Sequence, residues 1–245
     1  MQLRRILVIA LARSGYHTVI HWMCKKTPGM VLFLNNCNHE LRGRNKTFYR
    51  GSEPIITRIY SFENFDLRGF KDLGMNSRFD QVIIVNRDPY NWIASSLEKG
   101  EKVAILNKPF LTNPKVMPYS KWTCSSMSRI DMFNQYMRQC LGEEDLIGEK
   151  FYHISYNRWF ADEEYRKELC NELDLPYSEG DMDYVPPRGG GSSFDGLNFK
   201  NRGSEMDVLG RWEKYKDNKR FSKLLTSKVR EYSRKYFNFD PYETK

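Results

Sequence analysis

The sequence predicts an α/β fold in three layers, with a central, mainly parallel sheet flanked by helices. Three observations carry this reading. Short apolar runs alternate along the chain with amphipathic segments of helical length, as βαβ units do. The runs 6–12 and 81–85 are apolar almost throughout, which marks strands buried on both faces. Each is followed closely by a helix-start signal, the turn at Gly15 after the first and Asp88-Pro89 after the second.

The first strand is expected over 6–12 and its helix over 15–26, stopped by Pro28-Gly29. Residues 30–34 read as a second strand. The stretch 35–51, polar and rich in Asn and Arg, reads as a loop on the ligand-binding side. Further strands are expected over 54–60 and 81–85. Asp88 can cap the next helix, Pro89 suits its first position and Gly100 its end. A helix over 121–141 and a strand over 151–155 follow. Asp162 caps a helix to about residue 174, closed by Pro176. Residues 185–211, rich in Gly, Pro, Ser and Asn, read as a loop, and a basic helix over 219–236 ends the pattern. No internal repeat interrupts it, so residues 1–245 are expected to form one domain.

The 39 Lys and Arg residues against 31 Asp and Glu give a net charge of +8, which favours anionic partners without choosing among them. The five cysteines, Cys24, Cys37, Cys124, Cys140 and Cys170, are scattered and contain no Cys-x-x-Cys. That pattern argues against a disulfide framework or a zinc site and fits a reducing compartment. The basic start followed by an apolar run looks superficially like a signal peptide. The run is only about seven residues, however, and a buried strand accounts for it better. Nothing approaches the roughly 20 apolar residues that span a bilayer, so a soluble, cytoplasmic protein is expected.

Two stretches carry chemistry. In the first, Arg13-Ser14-Gly15-Tyr16-His17-Thr18 places a tight turn and a helix start after a buried strand. Unsatisfied N–H groups and the helix dipole attract an anion there, and Arg13 adds a permanent charge. No Gly-Lys-Ser or Gly-Lys-Thr is present. The second is Asn86-Arg87-Asp88-Pro89, with Ser95 about two turns into the helix that follows. A guanidinium at a strand end and a hydroxyl so placed can converge on one phosphate.

Together, Arg-Ser-Gly after the first strand and Arg-Asp-Pro-x-x-x-x-x-Ser after a later one resemble the sulfotransferases that use 3′-phosphoadenosine 5′-phosphosulfate (PAPS). The resemblance implies a P-loop-like version of the three-layer fold and PAPS as co-substrate. It also implies that Arg13, Ser14, Gly15, Tyr16, His17 and Thr18 hold the 5′-phosphosulfate, with Tyr16-His17 where the family usually has Thr-Thr. Arg87 and Ser95 would bind the 3′-phosphate. The stretch HISYNRWFADEEYRKELCNELDLP is similar to the family segment in which a strand ends in Tyr-Glu, and this places Tyr156 near the adenine. NFKNRGSEMDVLGRWEKY is similar to the late segment that closes over the 3′-phosphate. Arg202 and Gly203 are its nearest counterparts and Gly210-Arg211-Trp212 its end, across a longer interval than in cytosolic members.

Family members carry a His or Glu base after the strand that follows the acceptor loop, and here that place holds Glu63. His39, Glu40 and His17 remain alternatives. His17 and His21 are four apart on a helix, but no third ligand accompanies them, and PAPS chemistry needs no metal; none is expected. Residues 186–196, PPRGGGSSFDG, place Arg188, Ser192 and Ser193 either in a lid or in a surface linker. The resemblance implies sulfuryl transfer to a hydroxyl or amine on a small molecule or glycan, with no nucleic-acid partner. Two other readings stay open. One is a nucleotide kinase or hydrolase of P-loop type, which the missing Lys-Ser/Thr pair disfavours. The other is a non-catalytic binder of anions or nucleic acid, for which no recognition motif is present.

Overall fold

The computed structural model describes residues 3–38, 40–49, 51, 56–100, 127–148, 151–178, 182–185 and 191–243. Six strands form one sheet: β1 (Leu3–Ala10), β2 (Met30–Cys37), β3 (Gly43–Tyr49), β4 (Ile56–Glu63), β5 (Gln81–Asn86) and β6 (Phe151–Ser155). Their order is β3-β2-β4-β1-β5-β6, and every neighbouring pair is parallel except β2 with β3.

The central strand shows why its sequence is apolar at nearly every position. Successive side chains point to opposite faces. Leu7 and Ile9 enter the core on one face, while Ile6, Val8 and Ala10 enter the core on the other. The second face is covered by α1 (Tyr16–Lys26), α5 (Tyr156–Ala161) and α6 (Glu163–Glu172), with Trp22 edge-on to Trp159 at 6.0 Å. The first face is covered by α3 (Pro89–Glu98), α4 (Arg129–Cys140) and the carboxyl-terminal helices α7 (Lys219–Leu224) and α8 (Ser227–Tyr232). Trp92 stacks on Phe133 there at 5.7 Å. A short helix, α2 (Gly69–Asp72), buries Phe70 against the same face.

This order places a change of direction between β1 and β5. The chain leaves β1 through α1 toward β2 on one side, and leaves β5 through α3 toward β6 on the other. Open α/β sheets bind ligands outside the carboxyl ends of their strands at such a point. Register aligns those ends, pairing Ala10 with both Glu63 and Val85, and Asn86 with Ser155.

Caps appear where their residues predicted them. The Asp88 carboxylate accepts from the Asn91 N–H with Pro89 at the first position, and the Asp162 carboxylate accepts from the Tyr165 N–H. Ser128 caps α4; residues 121–126 of the expected helix, and residues 54–55 of the expected third strand, lie outside the described residues.

Three expectations need correction. The stretch 35–51 is not a loop: β2 runs on to Cys37, and Gly43–Tyr49 return as antiparallel β3. Arg44, Asn45 and Lys46 are exposed on this edge strand, so its polarity reflects a solvated sheet edge and not missing structure. The expected helix over 219–236 is broken. The Thr226 hydroxyl accepts from the Val229 N–H and starts α8 afresh, and Ser233–Phe237 then widen into a π turn. Residues 185–211 contain a 3₁₀ turn, Gly203–Glu205, and a bridge between Ser192 and Gly196; a second 3₁₀ turn, Arg211–Tyr215, follows.

Cys24, Cys37, Cys140 and Cys170 are free thiols. Among the described residues, no helix is long and apolar enough to cross a membrane.

The carboxyl terminus is fastened by one carboxylate. The Asp240 side chain is fully buried and accepts from the Tyr90 hydroxyl of α3 at 2.5 Å, from Arg230 and Arg234, and from the Tyr242 N–H. Burial alone would raise its pKa. The donors outweigh burial and hold it below the usual Asp value. Its stabilisation is therefore present above the unfolded value near pH 4 and is lost as the pH falls through the lower folded value. Asp240→Asn should lower unfolding free energy at pH 7 by about 1–3 kcal/mol, and the deficit should shrink below about pH 4, as urea titrations at several pH values would show.

Candidate functional site

The loop after β1 is held from both sides. The Ala12 N–H donates to the Asn64 side chain at 3.0 Å, and the Ala12 carbonyl accepts from the Trp92 indole at 2.8 Å. Between these anchors and α1 the backbone turns sharply. Arg13 takes φ +71° and Gly15 φ +82°, both left-handed. For Arg13 that conformation costs on the order of 1–3 kcal/mol, so surrounding contacts must enforce it. Gly15 is required twice over, because a Cβ there would also lie 2.4 Å from the Tyr156 ring. The Thr18 N–H bonds back to the Gly15 carbonyl at 3.0 Å. Ser14 is buried, and among the described residues its hydroxyl has no hydrogen-bond partner. A buried polar atom left unpaired at a helix start suits an incoming anion or its hydrogen-bonding group.

Beside this loop stands Arg87, 4% exposed. It donates to the Ser95 hydroxyl at 3.0 Å and to the Val208 carbonyl. Its guanidinium lies over the Tyr156 ring, 5.2 Å from the centroid. Among the described residues its Nε has no hydrogen-bond partner. Burial and the positive charge of Arg211 push its pKa down to about 10, against partial relief from Tyr156, Asp88 and Asp207. An anion placed here would relieve both stresses.

Asp88 acts on Arg87 through its charge, while its own hydrogen bonds go elsewhere. Its carboxylate, 0% exposed, accepts from the Asn91 amide and side chain and from Asn157 at 2.7 Å. The Asp88 N–H returns a bond to Asn157 at 3.1 Å. Asn91 in turn donates to the Leu209 carbonyl and accepts from the Trp212 N–H. The corners after β5 and β6 and the late segment 208–212 thus share one hydrogen-bond network.

Ser14, Gly15, Tyr156, Arg87 and Ser95 are therefore brought together at the β1/β5 switch point. The Tyr156 ring is buried against Gly15 and Arg87. Tyr16 is buried too. Its phenol lies beside the Glu63 carboxylate and the Ser61 hydroxyl, and burial followed by the Glu63 charge drives its pKa well above the usual value. Glu63, half-buried, is the last residue of β4, level with the end of β1. His17 makes a 2.9 Å hydrogen bond with Asn35, which also accepts from Ser61.

Other expected residues lie elsewhere. Arg202 turns to Glu205 at 3.0 Å with its side chain 57% exposed, while the Gly203 N–H bonds to the Asp183 carbonyl. The cation felt at Arg87 is Arg211, which donates to Ser192 and Asp195 and covers Phe194. Glu40 sits in the β2–β3 turn, paired with Arg42 at 3.1 Å. His21 bonds to Tyr49 and stacks on Tyr184, whereas His17 bonds to Asn35. Ser193 is half-buried; His39 and Arg188 lie outside the described residues.

Sequence reasoning passed over Asn91, Asn157 and the position of Arg211. Asn91 had a local signal, three residues after a capping Asp. Asn157 had a subtler one, standing directly after Tyr156 where the sulfotransferases that the sequence resembles carry Glu. For Arg211 no local signal points to Arg87, 124 residues earlier by subtraction.

No family model and no curated protein matches the chain. Among solved structures, it is similar to the mouse sulfotransferase SULT7A1 complexed with PAP, with a TM-score of 0.51, 15% sequence identity, and coverage of 97% of this chain and 89% of that one. The likeness establishes a shared α/β fold, a six-stranded and mostly parallel sheet flanked by helices. A putative cell surface hydrolase from Lactobacillus plantarum WCFS1 aligns at a TM-score of 0.24 with 11% identity, over 85% of this chain and 79% of that one, too weakly to bear on the fold.

Gly15→Ala should destabilise the chain by about 1–3 kcal/mol, since the left-handed backbone and the Tyr156 ring both oppose a methyl group. Chemical denaturation of the variant beside Gly74→Ala checks this, because Gly74 is also left-handed at φ +60° but has open space around its Cβ. Equal losses would show that the ring contact is unimportant.

Proposed function

We propose that residues 1–245 form a single sulfotransferase domain that moves a sulfuryl group from PAPS to a hydroxyl or amine acceptor. The observation that carries this reading is the buried Arg87–Ser95 pair beside the Gly15 loop, at the point where such sheets bind ligands. The shared fold with a sulfotransferase complexed with PAP supports it.

The residues present fit such a co-substrate. Among the described residues, Ser14 Oγ and Arg87 Nε are buried donors without partners, and burial and Arg211 disfavour an Arg87 charge that a phosphate would favour. PAPS supplies the activated sulfuryl group, released to the acceptor as its bond to the 5′-phosphate breaks, leaving adenosine 3′,5′-bisphosphate. The remaining work belongs to the chain. Arg87 and Ser95 select a 3′-phosphate through charge-assisted hydrogen bonds. Arg13 and the first amides of α1 face the charge that grows on the leaving phosphate. Glu63, level with the end of β1, takes the acceptor's proton in this reading. Burial and the Glu63 charge raise the Tyr16 pKa well above its usual value, which disfavours Tyr16 as the base.

Calorimetric titration with adenosine 3′,5′-bisphosphate, ADP and AMP tests the binding step. Affinity should require the 3′-phosphate. Arg87→Ala should weaken it by about 30-fold or more, which is about 2 kcal/mol, while leaving the circular dichroism spectrum unchanged. A folded variant with unaltered affinity would overturn the assignment. Glu63→Gln should spare that affinity and slow sulfuryl transfer by about 10²–10⁴-fold, and full activity would remove Glu63 as the base.

A further inference from the structure

One face of the sheet is unevenly covered. Near β5 the first face carries α2, α3 and α4, but toward β3, among the described residues, no helix lies over it. Register shows which side chains this leaves in view. Leu3 and Met30 flank Ile56 in one row across β1, β4 and β2. Arg58, Leu32 and Phe48 form the next row across β4, β2 and β3. Lys46 follows two residues along β3, on the same face. Leu3, Met30 and Phe48 are 44%, 42% and 64% exposed, and Arg58 and Lys46 are exposed around them. Large apolar side chains gathered on one face, with the exposed cations Arg58 and Lys46 beside them, mark an interaction surface.

We propose that this face docks an acidic amphipathic helix of a partner protein. Shape and charge both select that occupant. The patch spans about four strands by two rows, roughly 15 Å by 7 Å, which suits the apolar stripe of a helix about 10 Å across. The covering layer ends beside it, where Phe79 meets Tyr60 at 5.4 Å and α2 buries Phe70. Packed layers stand about 10 Å above a sheet, so the patch lies in a recess. A flat bilayer would be held off by the neighbouring layer, whereas a helix would continue it. A second copy would set Arg58 and Lys46 against their own kind. A helix with Leu on one stripe and Glu along its borders would bury the apolar rows and meet both cations.

The test uses the full chain labelled with ¹³C at its methionine methyl groups, with the Met30 resonance assigned through Met30→Leu. The probe is a synthetic helix of about four turns carrying Leu at i, i+3, i+4 and i+7 with flanking Glu. A Lys-flanked version and phosphatidylserine vesicles serve as controls. The Met30 resonance should shift saturably with the Glu peptide alone. Phe48→Thr and Arg58→Glu should each weaken binding at least about tenfold while retaining the wild-type circular dichroism spectrum. No saturable shift, equal binding of the Lys peptide, or Phe48-dependent binding to vesicles in preference to the peptide would each overturn the proposal. So would a dimer in sedimentation that Phe48→Thr dissolves, since it would make a second copy the occupant.

Discussion

The site is organised around a buried carboxylate held by hydrogen bonds, with the Arg87 charge close by. Asp88 is 0% exposed and survives there because three N–H groups, two from Asn91 and one from Asn157, point at it. A buried charge without such donors would cost several kcal/mol, so each partner is held to its position. The constraint propagates outward. Asn157 fixes the corner after β6 and with it Tyr156, whose ring leaves room only for a glycine at position 15. Asn91 fixes residues 209 and 212, and so brings the late segment over Arg87.

Arg87 shows the opposite economy. It is placed where burial and a neighbouring arginine both disfavour its charge, yet among the described residues its Nε has no partner. Natural cores avoid that combination unless something else completes it. The left-handed backbone at Arg13 and the Ser14 hydroxyl, without a partner among the described residues, both lie in the loop after β1. Strain and unmet polar atoms gathered at one switch point are features that suit an anion.

Far from this crowding, the β3 edge is thinly covered, and the contrast is informative. Polar composition over 35–51 reads locally as a loop, but the same residues form a hairpin because one of its strands borders solvent. Exposure, and not chain flexibility, explains Arg44 and Lys46. The break at Thr226 follows similar logic: a side chain that can cap a helix restarts one wherever packing calls for a bend.

The sequence by itself determined the buried parallel strands, the turn at Gly15, and the capped helix that sets Ser95 two turns beyond Arg87. These are local matters of period, dihedral preference and capping, written in residues that lie near one another in the chain. Only the tertiary structure decided what surrounds Arg87. Val208 is 121 residues away from it, and Arg211 rather than Arg202 is the cation beside it. Such partners are chosen by how layers pack and where a long segment returns. Hydrophobic burial sets that return without regard to direction, and hydrogen bonds then fix it. No spacing between neighbouring residues encodes it.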